Sequence, residues 1–172
     1  MFPRKFEYHD PVSLDEVFTL LDDYMDDCKL MAGGQSLLPM MKLRIASPAH
    51  IVDLWRLEGI DEIVEVTDNI RIGALATHRA VAESSTLWRL CPLFAKAASV
   101  IGDPQVRNLG TIGGSLVHAD PAADYAPVLV AVGAMIVIRS SSEERVVSAS
   151  DFYQGLLETV VSMSEMVTEV RV

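Results

Sequence analysis

Apolar residues recur at helical spacing early in the chain and then give way to short hydrophobic runs. Leu14, Val17, Phe18 and Leu21 stand three or four apart, so residues 14–25 are predicted to form an amphipathic helix. Ser13 and Glu16 sit ahead of it in the order of a capping box, in which each side chain closes the other's free amide. KLMAG (29–33) reads as a buried strand ending at Gly33, SLLPMMKLR (36–44) as a helical turn with Ser36 near its start, and HIVDLW (50–55) as a second strand. With Phe6–Tyr8 as an edge strand, these elements make a small β-α-β-α-β lobe. The pattern changes near Glu58. EIVEVTDNIRIGA (62–74) alternates apolar and polar residues around Asp68-Asn69, as a β-hairpin does. Residues 77–102 are rich in helix formers, with Thr77 placed as an N-cap and Pro92 as a helix start. A glycine-bearing loop follows, then a predicted helix from Pro121 to Val132. Residues 134–152 read as two strands around a charged loop, and MVTEVRV (166–172) as a final strand. The result is two α+β lobes, 1–56 and 57–172.

Composition narrows the classes. Half of the 172 residues are hydrophobic and the mean hydropathy is +0.28, which supplies a core and argues against disorder. A net charge of −10 speaks against binding nucleic acid, whose backbone asks for a basic face. The longest apolar stretch, Ala126 to Ile138, is broken by Pro127 and Gly133 and falls short of the roughly 20 residues a membrane span takes. MFPRKFEYHD has no apolar segment behind its basic residues and does not read as a signal peptide. Cys28 and Cys91 cannot supply the thiolates of an iron–sulfur cluster, nor do they stand at zinc-pair spacing. They read as reduced thiols of a cytoplasmic protein.

The candidate chemistry lies in two glycine segments, MAGGQSLLPMMK (31–42) and NLGTIGGSLVHADPAAD (108–124). Each glycine pair is either a tight turn or a place where backbone amides approach an anion closely. Gly110, Gly113 and Gly114 follow neither the Rossmann spacing nor that of a P-loop, and no lysine stands by to meet a phosphate. The second segment does carry hydroxyls at Thr111 and Ser115. His118, Asp120 and Asp124 suggest a metal site or an acid–base pair. The alternative is structural: Asp120-Pro121 makes a good helix cap and first turn, with Asp124 one turn on. Arg107 is either an anion clamp or half of a surface ion pair, and Trp55 and Trp88 read as core or interface residues. Neither a G-x-S-x-G elbow nor a Cys/His nucleophile arrangement is present.

Taken in order, AGGQSLLPMMKLRIASPAHIVDL, IGDPQVRNLGTIGGSLVHADPAADYAPVLVAVGA and DFYQGLLETVVSMSEMVTEVRV resemble the FAD-binding medium subunit of molybdenum hydroxylases, of the carbon monoxide dehydrogenase type. The resemblance implies an α+β, two-lobed flavin fold of the vanillyl-alcohol-oxidase/p-cresol-methylhydroxylase type, with the FAD pyrophosphate against both glycine loops. Matched residue by residue, it implies cofactor contacts from Ala32, Gly33, Gly34, Gln35, Ser36 and Leu37 in the first loop. In the second they come from Thr111, Ile112, Gly113, Gly114 and Ser115. Asp124 matches an acidic residue that helps hold the cofactor, and Ile101 and Val167 match apolar positions lining it. No catalytic residue and no metal ligand is implied on this chain.

The resemblance further implies an oxidoreductase flavoprotein subunit. Electrons would reach FAD from a molybdenum-cofactor large subunit through an iron–sulfur small subunit and leave to an external acceptor. The family continues into a third, C-terminal lobe, expected to be absent here, together with a basic residue near the flavin ring; apolar surface is expected along the open C-terminal edge. Two alternatives are a truncated, non-catalytic assembly or interaction module without stable flavin, and a small pyrophosphate-binding domain.

Overall fold

A computed structural model describes residues 2–172. The first elements are strand β1 (Glu7–His9), helix α1 (Leu14–Tyr24), strand β2 (Cys28–Met31), helix α2 (Leu37–Lys42) and strand β3 (His50–Asp53). The Ser13 hydroxyl accepts from the Glu16 amide, and Glu16 in turn accepts from the Val12 amide at 2.8 Å, so the α1 cap closes on both sides. β1, β3 and β2 form a three-stranded parallel sheet in that order, with β1 at the edge as expected. Parallel strands need a crossover between them, and α1 and α2 supply it.

Next come β4 (Ile63–Val66), β5 (Asn69–Gly73), α3 (His78–Glu83), α4 (Ser85–Leu90), α5 (Pro92–Val100), α6 (Pro104–Leu109), α7 (Ile112–His118) and α8 (Tyr125–Ala131). The remainder is β6 (Met135–Arg139), β7 (Glu144–Ser148), α9 (Ala149–Phe152), β8 (Tyr153–Gly155), β9 (Glu158–Thr159) and β10 (Met166–Arg171). The second sheet is five-stranded, in the order β4-β5-β10-β6-β7, and its pairs are antiparallel. The fold is α+β, as expected, and no helix among the described residues is long and apolar enough to cross a membrane.

The last strand is the centre of this sheet rather than an open edge. Met166 to Val170 are all buried, and a bulge at Thr168 interrupts the pairing with β6. Its buried Glu169 carboxylate accepts from Arg71 at 2.6 Å and from Arg171 at 2.5 Å, which compensates the charge. The exposed edges belong to β4 and β7.

Two apolar clusters support the molecule. The larger joins the second sheet to helices α3–α5 and α7–α9 through Phe94, Ile112, Leu116, Tyr125 and Phe152. The smaller packs α1 on the first sheet and also takes in Leu57 and Met166, so β10 reaches the first sheet's core. Two expectations are narrowed here. Of the core or interface placement expected for Trp55 and Trp88, the core is excluded, since they are 67% and 47% exposed. The helix predicted from Pro121 begins only at Tyr125, because the Asp120 carboxylate accepts from Ala122, two residues on, and closes a turn that does not propagate. The cap-and-proline start occurs instead at Asp103-Pro104, where Asp103 accepts from Val106, three residues on.

An ion pair ties β7 to the loop before β10. Arg145 donates to both Glu165 oxygens, at 2.7 and 2.8 Å, and to the Val160 carbonyl, while Glu165 also accepts from the Ser162 amide. The hydrogen bonds from Arg145 hold the Glu165 carboxyl down at about 2. Its contribution is therefore complete above the ordinary carboxylate range and is lost as pH falls from about 4.5 towards 2. Glu165→Gln is expected to lower stability at neutral pH by about 1–2 kcal/mol, less than a fully buried pair because a third of the Arg145 side chain stays in water. Urea denaturation at pH 7 and pH 3 checks this, and the difference between the two proteins should shrink at the lower pH.

Candidate functional site

The two glycine segments, far apart in the chain, meet at backbone level. The first leaves β2, turns at Gly34 (φ +68°) and enters α2. A Cβ built on Gly33 would overlap the Leu109 carbonyl and lie 2.7 Å from the Gly110 α-carbon. Gly33 is thus required by the close approach of the second segment. From the other side, Gly114 faces Ala32, with only 3.8 Å between the methyl of Ala32 and the place where a Gly114 Cβ would stand.

The second segment is the start of helix α7 rather than a loop. Thr111 caps that helix, accepting from the Gly114 amide at 3.1 Å. The Ile112 amide donates to Ala76, Gly113 to Ala74 at 2.8 Å and Ser115 to Thr111. A Cβ on Gly113 would lie 2.7 Å from that of Ala74, so this glycine also serves chain-to-chain packing. Ala74 itself donates to the carbonyl of Thr168, the bulged residue of β10, and so the α7 start rests on the central strand.

The amides of the two segments differ. Those of Ile112, Gly113, Gly114 and Ser115 are spent inside the protein. Among the described residues no acceptor meets the amides of Gly33, Gly34, Gln35 or Ser36, in a turn whose only side-chain bond is Gln35 to the Gly33 carbonyl at 3.1 Å. A run of free N–H groups in a glycine turn is the kind of backbone arrangement that can receive an anion. Neither the Ser36 nor the Ser115 hydroxyl has a hydrogen-bond partner among the described residues, and the buried Thr111 hydroxyl, which accepts from Gly114, still has its own proton to give.

The other expected residues lie on several elements. Leu37 opens α2, and Ile101 ends α5 half-buried against the larger core. Val167 is buried in β10, within that core. Asp124 is exposed at the start of α8 and makes no capping bond. Arg107 pairs with no carboxylate among the described residues; it donates to the carbonyls of Ile101 and Gly102 and ties α6 to the end of α5. His118, Asp120 and Asp124 are not gathered into a ligand group among the described residues.

One pair escaped the sequence reading. The ring of His78 fills the space that a side chain at Gly110 would need, its amide donates to the Gly110 carbonyl at 2.8 Å, and its Nδ1 lies 3.2 Å from the Tyr125 hydroxyl. Burial, helped by the charge of Arg107, lowers the His78 imidazole to about 4. Burial and the neighbouring Asp124 charge push the Tyr125 phenol up. Both are therefore neutral at pH 7, and they link the residue beside Asp124 to the floor of the second segment. The available signal was the position of His78 directly after the Thr77 cap.

The sequence and fold of the chain are similar to those of known proteins. A family model described as the FAD binding domain in molybdopterin dehydrogenase matches residues 4–172. The chain is 41% identical over 172 residues to the carbon monoxide dehydrogenase medium chain of Hydrogenophaga pseudoflava, covering all of this chain and 60% of that protein. It is 40% identical to the glyceraldehyde dehydrogenase medium chain of Sulfolobus acidocaldarius, again over all of this chain and 61% of the relative. The xanthine dehydrogenase FAD-binding subunit of Escherichia coli O157:H7 is 32% identical over 149 residues, 86% of this chain and 51% of that one. The solved carbon monoxide dehydrogenase of H. pseudoflava, in a form lacking the Mo-pyranopterin moiety, superposes with a TM-score of 0.98 at 42% identity over 100% of this chain and 60% of the other. The chain thus spans about three fifths of the length of the medium chains it matches.

Proposed function

This chain belongs to the family of FAD binding domains in molybdopterin dehydrogenases, and from that premise we propose that it holds FAD between lobes 1–56 and 57–172 as the electron-transfer subunit of a molybdenum hydroxylase. The observation that carries the reading is the row of free amides at Gly33–Ser36, pressed against the start of α7 by the Gly33–Leu109 contact. Those amides, with Ala32 and Leu37 at the ends of the row, hold the pyrophosphate. Thr111 and Ser115 add hydroxyl donors, and Ile112, Gly113 and Gly114 form the wall. The Asp124 carboxylate accepts from cofactor hydroxyls, Ile101 gives an apolar contact, and Val167 backs the site from within β10.

Bound FAD supplies the redox chemistry, while the polypeptide supplies binding, orientation and electrostatics. As the family resemblance implies, the chain passes electrons from the iron–sulfur clusters of a small subunit, fed by a molybdenum-cofactor large subunit, to an external acceptor in the cytoplasm. Relatives named as medium chains and FAD subunits of dehydrogenases support this reading over an assembly module without flavin.

Titrating the purified chain with FAD, followed by quenching of flavin fluorescence, is expected to give one saturable site. Because the anchor is the pyrophosphate, ADP should compete with FAD at least tenfold better than riboflavin, which has no phosphate. Riboflavin competing as well as ADP would move the anchor off the glycine turn.

A further inference from the structure

At the opposite end of the first sheet from the glycine turn, three side chains converge that the flavin site does not use. Strand alternation puts Glu7 and His9 on one face of β1. The parallel register sets Glu7 directly opposite His50, the first residue of β3. His9 Nε2 lies 3.1 Å from His50 Nδ1, and Glu7 Oε2 lies 3.7 Å from the same nitrogen. One ligand atom from each of the three residues falls within 4.8 Å of the others. Tyr24, the last residue of α1, fixes the rings: it stacks on His50 with centroids 3.7 Å apart and planes at 10°, and on His9 at 5.4 Å. Stacking covers the ring faces and leaves the nitrogen edges turned towards each other.

We propose that Glu7, His9 and His50 form a three-ligand site for a divalent transition-metal cation, zinc above all, which pins the edge strand β1 to β3. Two imidazoles and a carboxylate make a borderline donor set, suited to zinc and its neighbours and unsuited to calcium or magnesium. Tetrahedral zinc with ligands at about 2.0–2.1 Å sets those ligands about 3.3 Å apart, so the imidazole pair needs only a few tenths of an ångström. Glu7, whose side chain is 70% exposed, is free to swing the remaining distance. Water completes the fourth position. The site has a structural use, because β1 is held to the sheet through only Glu7, Tyr8 and His9. A ligand that binds the folded state alone stabilises it. The position is independent of the flavin: His50 pairs with Cys28 at the start of β2, whereas Gly33 lies beyond the other end of that strand.

The test uses the untagged 172-residue chain after chelator treatment, titrated calorimetrically with Zn²⁺ alone. Expected is one equivalent of saturable binding, weakened at least tenfold in His9→Ala and in His50→Ala and severalfold in Glu7→Gln. His118→Ala should match the parent, and FAD uptake should be the same in all variants. To guard against variants that fail to fold, imidazole NMR signals of the parent chain are followed on zinc addition; those of His9 and His50 should shift and those of His78 and His118 should not. Absence of a saturable site, binding unchanged in both His9→Ala and His50→Ala, or shifts confined to His78 and His118 would overturn the assignment.

Discussion

Gly33→Ala is expected to cost the chain at least a hundredfold in FAD affinity while leaving it folded but less stable. The added methyl would overlap the Leu109 carbonyl and crowd the Gly110 α-carbon. Both are backbone, so no side chain can rotate away. The strain is relieved only by moving the first segment off the start of α7, which separates the free amides of Gly33–Ser36 from the Thr111 and Ser115 hydroxyls. Overpacking of this kind costs about 1–3 kcal/mol, and in fold-change a hundredfold loss corresponds to about 2.7 kcal/mol. Gly155→Ala is the control: there a Cβ meets only the flexible end of Glu158, at 3.2 Å. Fluorescence titration and thermal melts of the two variants check the prediction. A Gly33→Ala protein that binds FAD like its parent would show that the junction of the two segments is not the cofactor's seat.

The second large effect is an acid transition set by His78. Its imidazole is held neutral at about 4 in the folded chain by burial, against 6.5 in the open chain. Below pH 6.5 the unfolded state therefore takes up the proton that the folded state refuses. Stability is complete above pH 6.5, falls as pH drops towards 4, and levels off below that, since both states are then protonated. A depression of this size is worth about 3 kcal/mol across the window. His78→Gln, which keeps a polar group near the Tyr125 hydroxyl but does not titrate, should flatten the slope between pH 6.5 and 4. Urea denaturation of both proteins at pH 7.5, 5.5 and 4.5 decides the matter, and equal slopes would remove His78 from the account. The window lies above that of Glu165, so the two groups are separable by pH.

Much of the local architecture was legible in the chain. Ser13 and Thr77 cap the helices that their spacing announces, and Pro92 stands at the first position of α5. The hairpin turn falls at Thr67-Asp68, one residue before the place expected, because β5 already begins at Asn69. These features depend on neighbours a few residues away, and hydrogen bonds of that range are written in residue order. The failures share a cause. Asp103-Pro104 and Asp120-Pro121 are the same dipeptide, yet one caps a helix and the other closes an isolated turn. In the second case Tyr125, anchored in the core beside Phe94 and bonded to His78, sets where α8 begins. The size of Trp55 and Trp88 suits a core or an interface, and nothing local says which surface a neighbouring element will cover.

The candidate site divides in the same way. The residue types of a pyrophosphate cradle, glycines beside Ser36, Thr111 and Ser115, could be read from the sequence, as could the family resemblance. Why the glycines are there could not. Gly33 and Gly113 make room for other backbone, at Leu109 and Ala74, and the run of free amides lies in the first segment, since those of Ile112–Ser115 in the second are consumed within the protein. The order of residues by itself determined the elements of the first lobe, the β4–β5 hairpin, the caps at Ser13 and Thr77 and the kinds of donor. Only the tertiary structure decided which donors remain unpaired, and it carried the last strand to the centre of the five-stranded sheet, where its bulge supports the site through Ala74. A local pattern encodes bonds between near neighbours, whereas pairing with distant residues is settled by the free energy of packing the whole chain.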